Sequence, residues 1–247
     1  MTYKFSLLLL PLLIVVQSCS DDRDTDETAH LDLKNVKNRI MPLGASRVEG
    51  ARPEFESYRY ELWKLLVDND VEFDFIGTMK DDAPYPTYND AIFDMDHEGR
   101  GGWTSGQILN GIDDWLALAG APDIVLFSSP GGNDALNGDP YGQAISNINE
   151  IIDAIQSANS EVTIIIEQLA PAKSEVMTAQ LTAFFNQLQQ DVVVIASQQS
   201  TPNSRVLTVD MVTGFNDSLL TDDVHYNETG AKFIAARYFD LLQNELD

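Results

Sequence analysis

Short unbroken apolar runs alternate along this chain with longer stretches in which apolar residues return every third or fourth position. The runs Ile40-Met41-Pro42-Leu43, Ile124-Val125-Leu126-Phe127 and Ile164-Ile165-Ile166 carry no polar face. Strands buried on both sides of a parallel sheet read this way. Strands are therefore predicted at residues 39–44, at 71–77 with Phe73, Phe75 and Ile76 in the core, and at 122–129, 161–169 and 192–196; residues 206–211 add an extended piece. The helical period predicts helices at 58–67 (Leu62, Leu65 and Leu66 inward), 105–119 (Ile108, Ile112, Trp115, Leu116) and 141–158 (Ile145, Ile148, Ile151, Ile152, Ile155). Two more follow at 174–189 and at 229–245, the last with Phe233, Ile234, Tyr238 and Leu241 inward. Residues 79–100, with Pro84, Pro86, Asn89 and several aspartates, read as one long loop, and such loops are often functional. Strands and helices in alternation predict one α/β domain, a parallel sheet covered by helices on both faces, with no internal repeat.

The N-terminus departs from that pattern. Lys4 precedes an apolar run from Phe5 to Val16 that is too short to span a bilayer as a helix and matches the charged and apolar regions of a secretory signal. Val16-Gln17-Ser18-Cys19 closes the run, and the acidic residues 20–27 follow. A small residue before the sole cysteine resembles a bacterial lipobox, which implies a signal peptide at 1–18 and acylated Cys19 as the lipid anchor. Residues 19–36 are expected to be an acidic disordered tether, and 37–247 the folded domain. The resemblance places the protein in the bacterial cell envelope, on the outer membrane, in contact with lipid through Cys19. An ordinary signal peptide with an incidental cysteine is the plainer alternative.

Composition narrows the partners. The chain has 247 residues, with 15 Lys+Arg against 39 Asp+Glu and a formal net charge of −24. Nucleic acid and anionic lipid headgroups are repelled by such a surface. One cysteine excludes internal disulfides. The three histidines, His30, His97 and His225, have no metal-ligand spacing, so neither a metal nor a cofactor is expected. A monomer is expected.

Four polar clusters follow strand ends or lie near the C-terminus: Ser46 after Gly44-Ala45, Gly102 before Trp103-Thr104, Asn133 in Gly131-Gly132-Asn133-Asp134, and Asp222 with His225. In a parallel sheet the strand C-termini share one edge, so the clusters can converge. Together they have the residue types of acyl transfer. Ser46 is the candidate nucleophile, His225 can serve as its base, and Asp222 can supply the carboxylate that orients the imidazole. The N–H groups of Ser46 and Gly102 and the side-chain amide of Asn133 would supply the oxyanion donors. Singly, each has a simpler role: a surface histidine, an Asx turn, a helix cap. All four in this order are harder to explain by turns.

These blocks resemble those of the SGNH (GDSL) hydrolases over nearly the whole chain from Arg39 onward. Ile40-Met41-Pro42-Leu43-Gly44, Tyr58-Arg59, Leu62-Trp63, Asp74-Phe75-Ile76-Gly77, Glu98-Gly99 and Pro122-Asp123-Ile124-Val125-Leu126 are similar to the acetyl-xylan-esterase-like carbohydrate esterases of that superfamily. The resemblance implies a flavodoxin-like three-layer α/β/α sandwich and metal-free hydrolysis of small acyl esters, often acetyl, on carbohydrate. Trp103, Tyr85 and Tyr88 are candidate sugar platforms. The chain departs from the family at Ala45, where aspartate is usual and is thought to tie down the nucleophile turn. It departs also at Arg47-Val48, in place of Ile-Thr, and at Tyr226, where proline often follows the histidine. None removes a reacting group. The alternatives are a short-chain carboxylesterase or lipase, and a surface glycan-binding protein that has lost turnover, which Ala45 favours.

Overall fold

The computed structural model describes residues 38–246; the signal, the tether and Cys19 expected from the sequence lie outside the described residues. The order of elements is β1 (Arg39–Gly44), α1 (Ser46–Glu49), α2 (Arg59–Asp68), β2 (Asp74–Phe75), β3 (Met79–Lys80), β4 (Asp96–Gly99), α3 (Ser105–Ala119), β5 (Ile124–Phe127), α4 (Gly132–Asn137), α5 (Tyr141–Ala158), β6 (Thr163–Gln168), α6 (Ala179–Gln199), β7 (Val206–Asp210), a 3-10 turn at Asp217–Leu219, and α7 (Glu228–Leu242). The sheet runs β3-β4-β1-β5-β6-β7, and β2 also pairs with β1. Every pair is parallel except β3 with β4. One edge of β1 is shared, its first half by β2 at Arg39 and Ile40 and its second by β4 at Leu43 and Gly44.

Alternate strand residues divide the core into two layers, because successive side chains in a strand point to opposite faces. Met41, Leu43, Val125, Phe127, Ile164 and Ile166 pack with Ile112 of α3, Ile148 and Ile152 of α5, and Phe185 and Leu188 of α6. Ile40, Ile124, Leu126 and Ile165 face the other way, onto Leu62 and Leu66 of α2 and Ile234 and Tyr238 of α7. This is the three-layer α/β/α arrangement expected, with a mostly parallel sheet in the middle.

Two elements differ from the expectation. Residues 192–196 are not a strand but the continuation of α6. Leu181, Phe185, Leu188, Val192, Ile195 and Ala196 are buried along it, on one helical face, while Val193 and Val194 are 45% and 49% exposed. The run Val192-Val193-Val194-Ile195 has strand composition, and the long helix overrides that preference. The segment 79–100 is not a plain loop either, because it holds β3 and β4. β4 is hidden by its polarity. His97 and Glu98 are 1% and 0% exposed and are satisfied locally. Gly99 N–H donates to His97 Nδ1 at 2.9 Å, and Thr78 N–H donates to Glu98 at 2.7 Å, joined by Arg100 at 2.5 Å. Burial, reinforced by Arg59 and Arg100, pushes the His97 pKa down to about 2, so it is neutral. The strand expected over 71–77 is shorter than read: only Asp74–Phe75 is paired.

Candidate active site

β1 ends against the turn that follows β5. Ser128 N–H donates to Leu43 O at 2.9 Å and Arg100 N–H to Gly44 O at 3.0 Å. A Cβ on Gly44 would stand 2.7 Å from Ser128 O and 2.9 Å from Val48 Cγ2, so only glycine lets these two turns approach so closely. The chain then enters the single helical turn α1, and Ser46 is its first residue. Ala45 lies at the N-cap and makes no side-chain cap bond. Arg47, 7% exposed, extends beneath the site. Its guanidinium donates to Val224 O at 2.8 Å, Ala170 O at 2.7 Å and Pro171 O at 3.0 Å, and lies over the Tyr226 ring at 4.8 Å. Arg47 thereby ties the Ser46 turn to the segments after β6 and before α7.

His225 arrives from that last segment. Its Nε2 is 2.9 Å from Ser46 Oγ, and its Nδ1 is 2.7 Å from Asp222 Oδ2. The other oxygen, Asp222 Oδ1, accepts the N–H groups of Val224 at 2.9 Å and His225 at 2.7 Å. Partial burial alone would raise the Asp222 pKa; the donors from the His225 ring and the Val224 and His225 backbone outweigh it and bring it down to about 2. The carboxylate is thus ionised at neutral pH and holds the proton on Nδ1, which leaves Nε2 to accept the serine proton. Phe55 lies on the imidazole face, ring centroids 3.8 Å apart and planes at 14°.

Across from His225, the Gly102 and Asn133 side is built from two laced segments. Gly102 has a φ of +75°, open to glycine at no steric cost, and precedes α3. The Asn133 side-chain amide donates to Trp103 O at 2.8 Å. That bond fixes the plane of the amide with one N–H and leaves its second N–H for a ligand. Asp134, 3% exposed, accepts from Ser105 N–H at 2.8 Å and Ser105 Oγ at 2.5 Å, which pins α4 to the start of α3. The first turn of an α-helix leaves backbone N–H groups unpaired, and Ser46 N–H is one of them.

A hollow of about 30 Å³ opens beside Ser46, lined on its polar side by Ser129 and Asn133 and on its apolar side by Leu136, Leu169, Phe185 and Val224. Of the candidate sugar platforms, none lines it. The Trp103 ring packs on Trp115 at 5.5 Å with Arg100 over it. Tyr85 and Tyr88 belong instead to an aromatic cluster on α2. Tyr85 packs at a tilt on Tyr60 and edge-on to Phe93 and donates to Asp81 at 2.5 Å; Tyr88 meets Trp63 and donates to Asp68 at 2.8 Å. These tyrosines fill the gap between the 79–100 segment and its own helix, which is the usual fate of loop aromatics. Among the described residues no group of three or more His, Cys, Asp or Glu is arranged to hold a metal ion. Sequence reasoning missed Arg47 and Phe55. Burial of a charged residue directly after the serine has no local signal, and Phe55 lies in a segment with no periodicity.

A family model described as GDSL-like lipase/acylhydrolase matches residues 75–233. That span takes in Gly102, Asn133, Asp222 and His225 and begins after Ser46. No curated protein matches the chain. Among solved structures, an acetyl esterase with a serine-to-alanine substitution, crystallised with an acetate ion, is 27% identical over 84% of this chain and 97% of its own, with a TM-score of 0.72. A family 3 carbohydrate esterase from Talaromyces cellulolyticus is 28% identical over 84% of this chain and 97% of its own, with a TM-score of 0.73. One from Clostridium thermocellum is 28% identical over 85% and 98%, with a TM-score of 0.67.

Proposed function

We propose, from the premise that this chain belongs to the GDSL-like lipase/acylhydrolase family and is an ester hydrolase, that it removes small acyl groups, acetyl first among them, from carbohydrate. The observation that carries the reading is the unbroken hydrogen-bonded relay from Ser46 Oγ through His225 to Asp222. Ser46 Oγ attacks the ester carbonyl carbon while His225 Nε2 takes the hydroxyl proton. The carbonyl oxygen gains its charge in front of Ser46 N–H, Gly102 N–H and the Asn133 amide. Donors aimed at a developing oxyanion are typically worth about 3–4 kcal/mol each. Collapse breaks the ester bond, and His225 gives its proton to the departing sugar oxygen. Water, deprotonated by His225, then attacks the acyl-Ser46 carbonyl. The acid leaves and Ser46 recovers its proton.

The hollow beside Ser46 supports a short acyl group. Its volume of about 30 Å³ suits a methyl better than a long chain. The three solved structures named above, an acetyl esterase and two carbohydrate esterases, support acetyl and carbohydrate as the two halves of the substrate. The apolar lip at Leu136, 44% exposed, favours one second reading, a carboxylesterase for short chains that extend past the hollow. The relay argues against a glycan-binding protein without turnover. The lipid anchor at Cys19 and the cell-envelope location remain part of the proposal, resting on the N-terminal sequence alone.

The test is hydrolysis of a chromogenic acetate ester and of acetylated xylan by the protein and by Ser46→Ala. Turnover by the wild type that falls at least about 10⁴-fold in the variant is expected. Equal rates in two folded proteins would sink the serine-esterase reading. A butyrate or hexanoate ester preferred to acetate, with acetylated xylan untouched, would favour the carboxylesterase.

A further inference from the structure

Glu167, near the C-terminal end of β6, is 0% exposed, and four hydrogen bonds converge on its carboxylate. Oε1 accepts from Ser128 Oγ at 2.9 Å and Tyr238 OH at 2.8 Å. Oε2 accepts from Ser129 N–H at 2.7 Å and Ser129 Oγ at 3.3 Å. A buried carboxylate is costly unless fully bonded, and an apolar residue would fill the same space in a sheet core. What the carboxylate holds is a strained turn. Ser129 has a φ of +48°, a left-handed conformation that non-glycine residues adopt at a steric cost. The turn passes from Ser129 through Pro130 and Gly131 into Gly132 and Asn133, closed by Gly132 N–H on Ser129 O at 3.1 Å. The nucleophile's side has no matching hold on this turn, since Ala45 has no side-chain acceptor and only the backbone Leu43 O takes up Ser128 N–H.

We propose that Glu167 is the positioning residue of the oxyanion turn: it holds Ser128 and Ser129 so that the Asn133 amide faces the carbonyl oxygen of an ester bound at Ser46. The role rests on the esterase reading given above. Glu167 touches no substrate; it acts from the neighbouring strand, through Ser129, on the loop that carries Asn133. Two buried polar side chains divide the site between them. Arg47 binds Val224 O beside His225 and two carbonyls just after β6, and Glu167, within β6, binds the donors of the turn that leads to Asn133.

Glu167→Gln tests this, because it keeps the shape but sets an NH₂ donor against Ser129 N–H or against the two hydroxyls. Amide hydrogen exchange at Ser129, Gly132 and Asn133 is expected to speed by at least about tenfold, while the amides of β1 and β5 keep their protection. With acetate ester, kcat is expected to fall by about 10- to 100-fold with KM changed less than about twofold. In an Asn133→Ala background, Glu167→Gln should add less than about threefold, since the donor it positions is already gone. Unchanged exchange in the turn, an unchanged kcat, or a full additional loss in the Asn133→Ala background would each overturn the proposal. If Glu167→Gln does not fold, Ser128→Ala removes one bond to the same carboxylate and is read the same way, with a fall of about threefold or more in kcat expected. A wild type without Ser46-dependent turnover would defeat the esterase reading instead, and the exchange measurement would still decide whether Glu167 holds the turn.

Discussion

Phe55 and His225 make a contact whose effect belongs to two residues alone. The imidazole bridges Ser46 and Asp222 through its edge, and the Phe55 ring covers one face. The Asp222 bond sets the tautomer, and the stacked ring limits rotation about the bond to Cβ. Removing the ring forfeits about 0.5–1.5 kcal/mol of contact. Phe55→Ala is therefore expected to lower kcat by about 3- to 10-fold, while a Phe55→Tyr or Phe55→Leu variant recovers most of it; steady-state kinetics on an acetate ester checks this, and an unchanged kcat in Phe55→Ala would refute it. Residue-scale chemistry was only partly legible beforehand. Ser46, Asn133, Asp222 and His225 could be picked out because hydroxyl, amide, carboxylate and imidazole carry their chemistry wherever they stand, and each follows a strand or precedes the last helix. Arg47, Phe55 and Glu167 could not. Their roles come from partners far away in sequence: Arg47 meets Val224 across 177 positions, and Glu167 meets Ser128 across 39.

At the scale of elements, α6 separates composition from environment. Its residues 192–195 are all β-branched, which mimics a buried strand, yet burial follows a helical stripe and not the whole run. The difference is measurable. Ile195, 4% exposed, packs in the core cluster of α3, α5 and α6, so Ile195→Ala is expected to cost about 2–5 kcal/mol. Val194, 49% exposed, should tolerate Val194→Ala within about 0.5 kcal/mol, helped by the better helix propensity of alanine. Urea unfolding of both variants checks the pair; a loss of about 2 kcal/mol for Val194→Ala would mean that the run is buried throughout. β4 fails to announce itself for the opposite reason. Asp96-His97-Glu98-Gly99 has no apolar residue, and its buried side chains are satisfied by Thr78, Arg100 and its own Gly99. Periodicity finds elements that the hydrophobic effect holds, as in β5 and α5, and passes over a strand held by polar bonds.

Over the whole molecule the acidic groups act in two ways that experiment can separate. A formal charge of −24 makes the folded state repel itself, and salt screens that repulsion, because the Debye length falls from about 30 Å at 0.01 M to about 8 Å at 0.15 M. Burial acts differently. It pushes the Asp94 carboxyl up to about 6, against lowering by the Phe75 and Asp96 N–H donors, and it also raises Glu98, Asp74 and Glu167. A carboxyl whose folded pKa lies above its ordinary 3.8 binds its proton more tightly in the folded state. Its contribution is complete below about 3.8 and is lost as pH rises through about 6. Asp222 has the reverse sign: its pKa of about 2 gives stability that is present above 3.8 and lost as pH falls toward about 2. The melting temperature is therefore expected to rise as pH falls from about 7.5 to about 5.5, and to drop again between about 4 and 2. At pH 7.5 it should also rise with salt. Asp94→Asn should blunt the gain on acidification and leave the gain with salt intact, because a neutral amide no longer titrates while the surface charge is hardly changed. Scanning calorimetry on dilute protein at a series of pH and salt values decides this. A maximum near neutral pH that salt lowers would mean that surface ion pairs such as Lys80–Asp96, and not self-repulsion and buried carboxyls, govern the stability of the molecule.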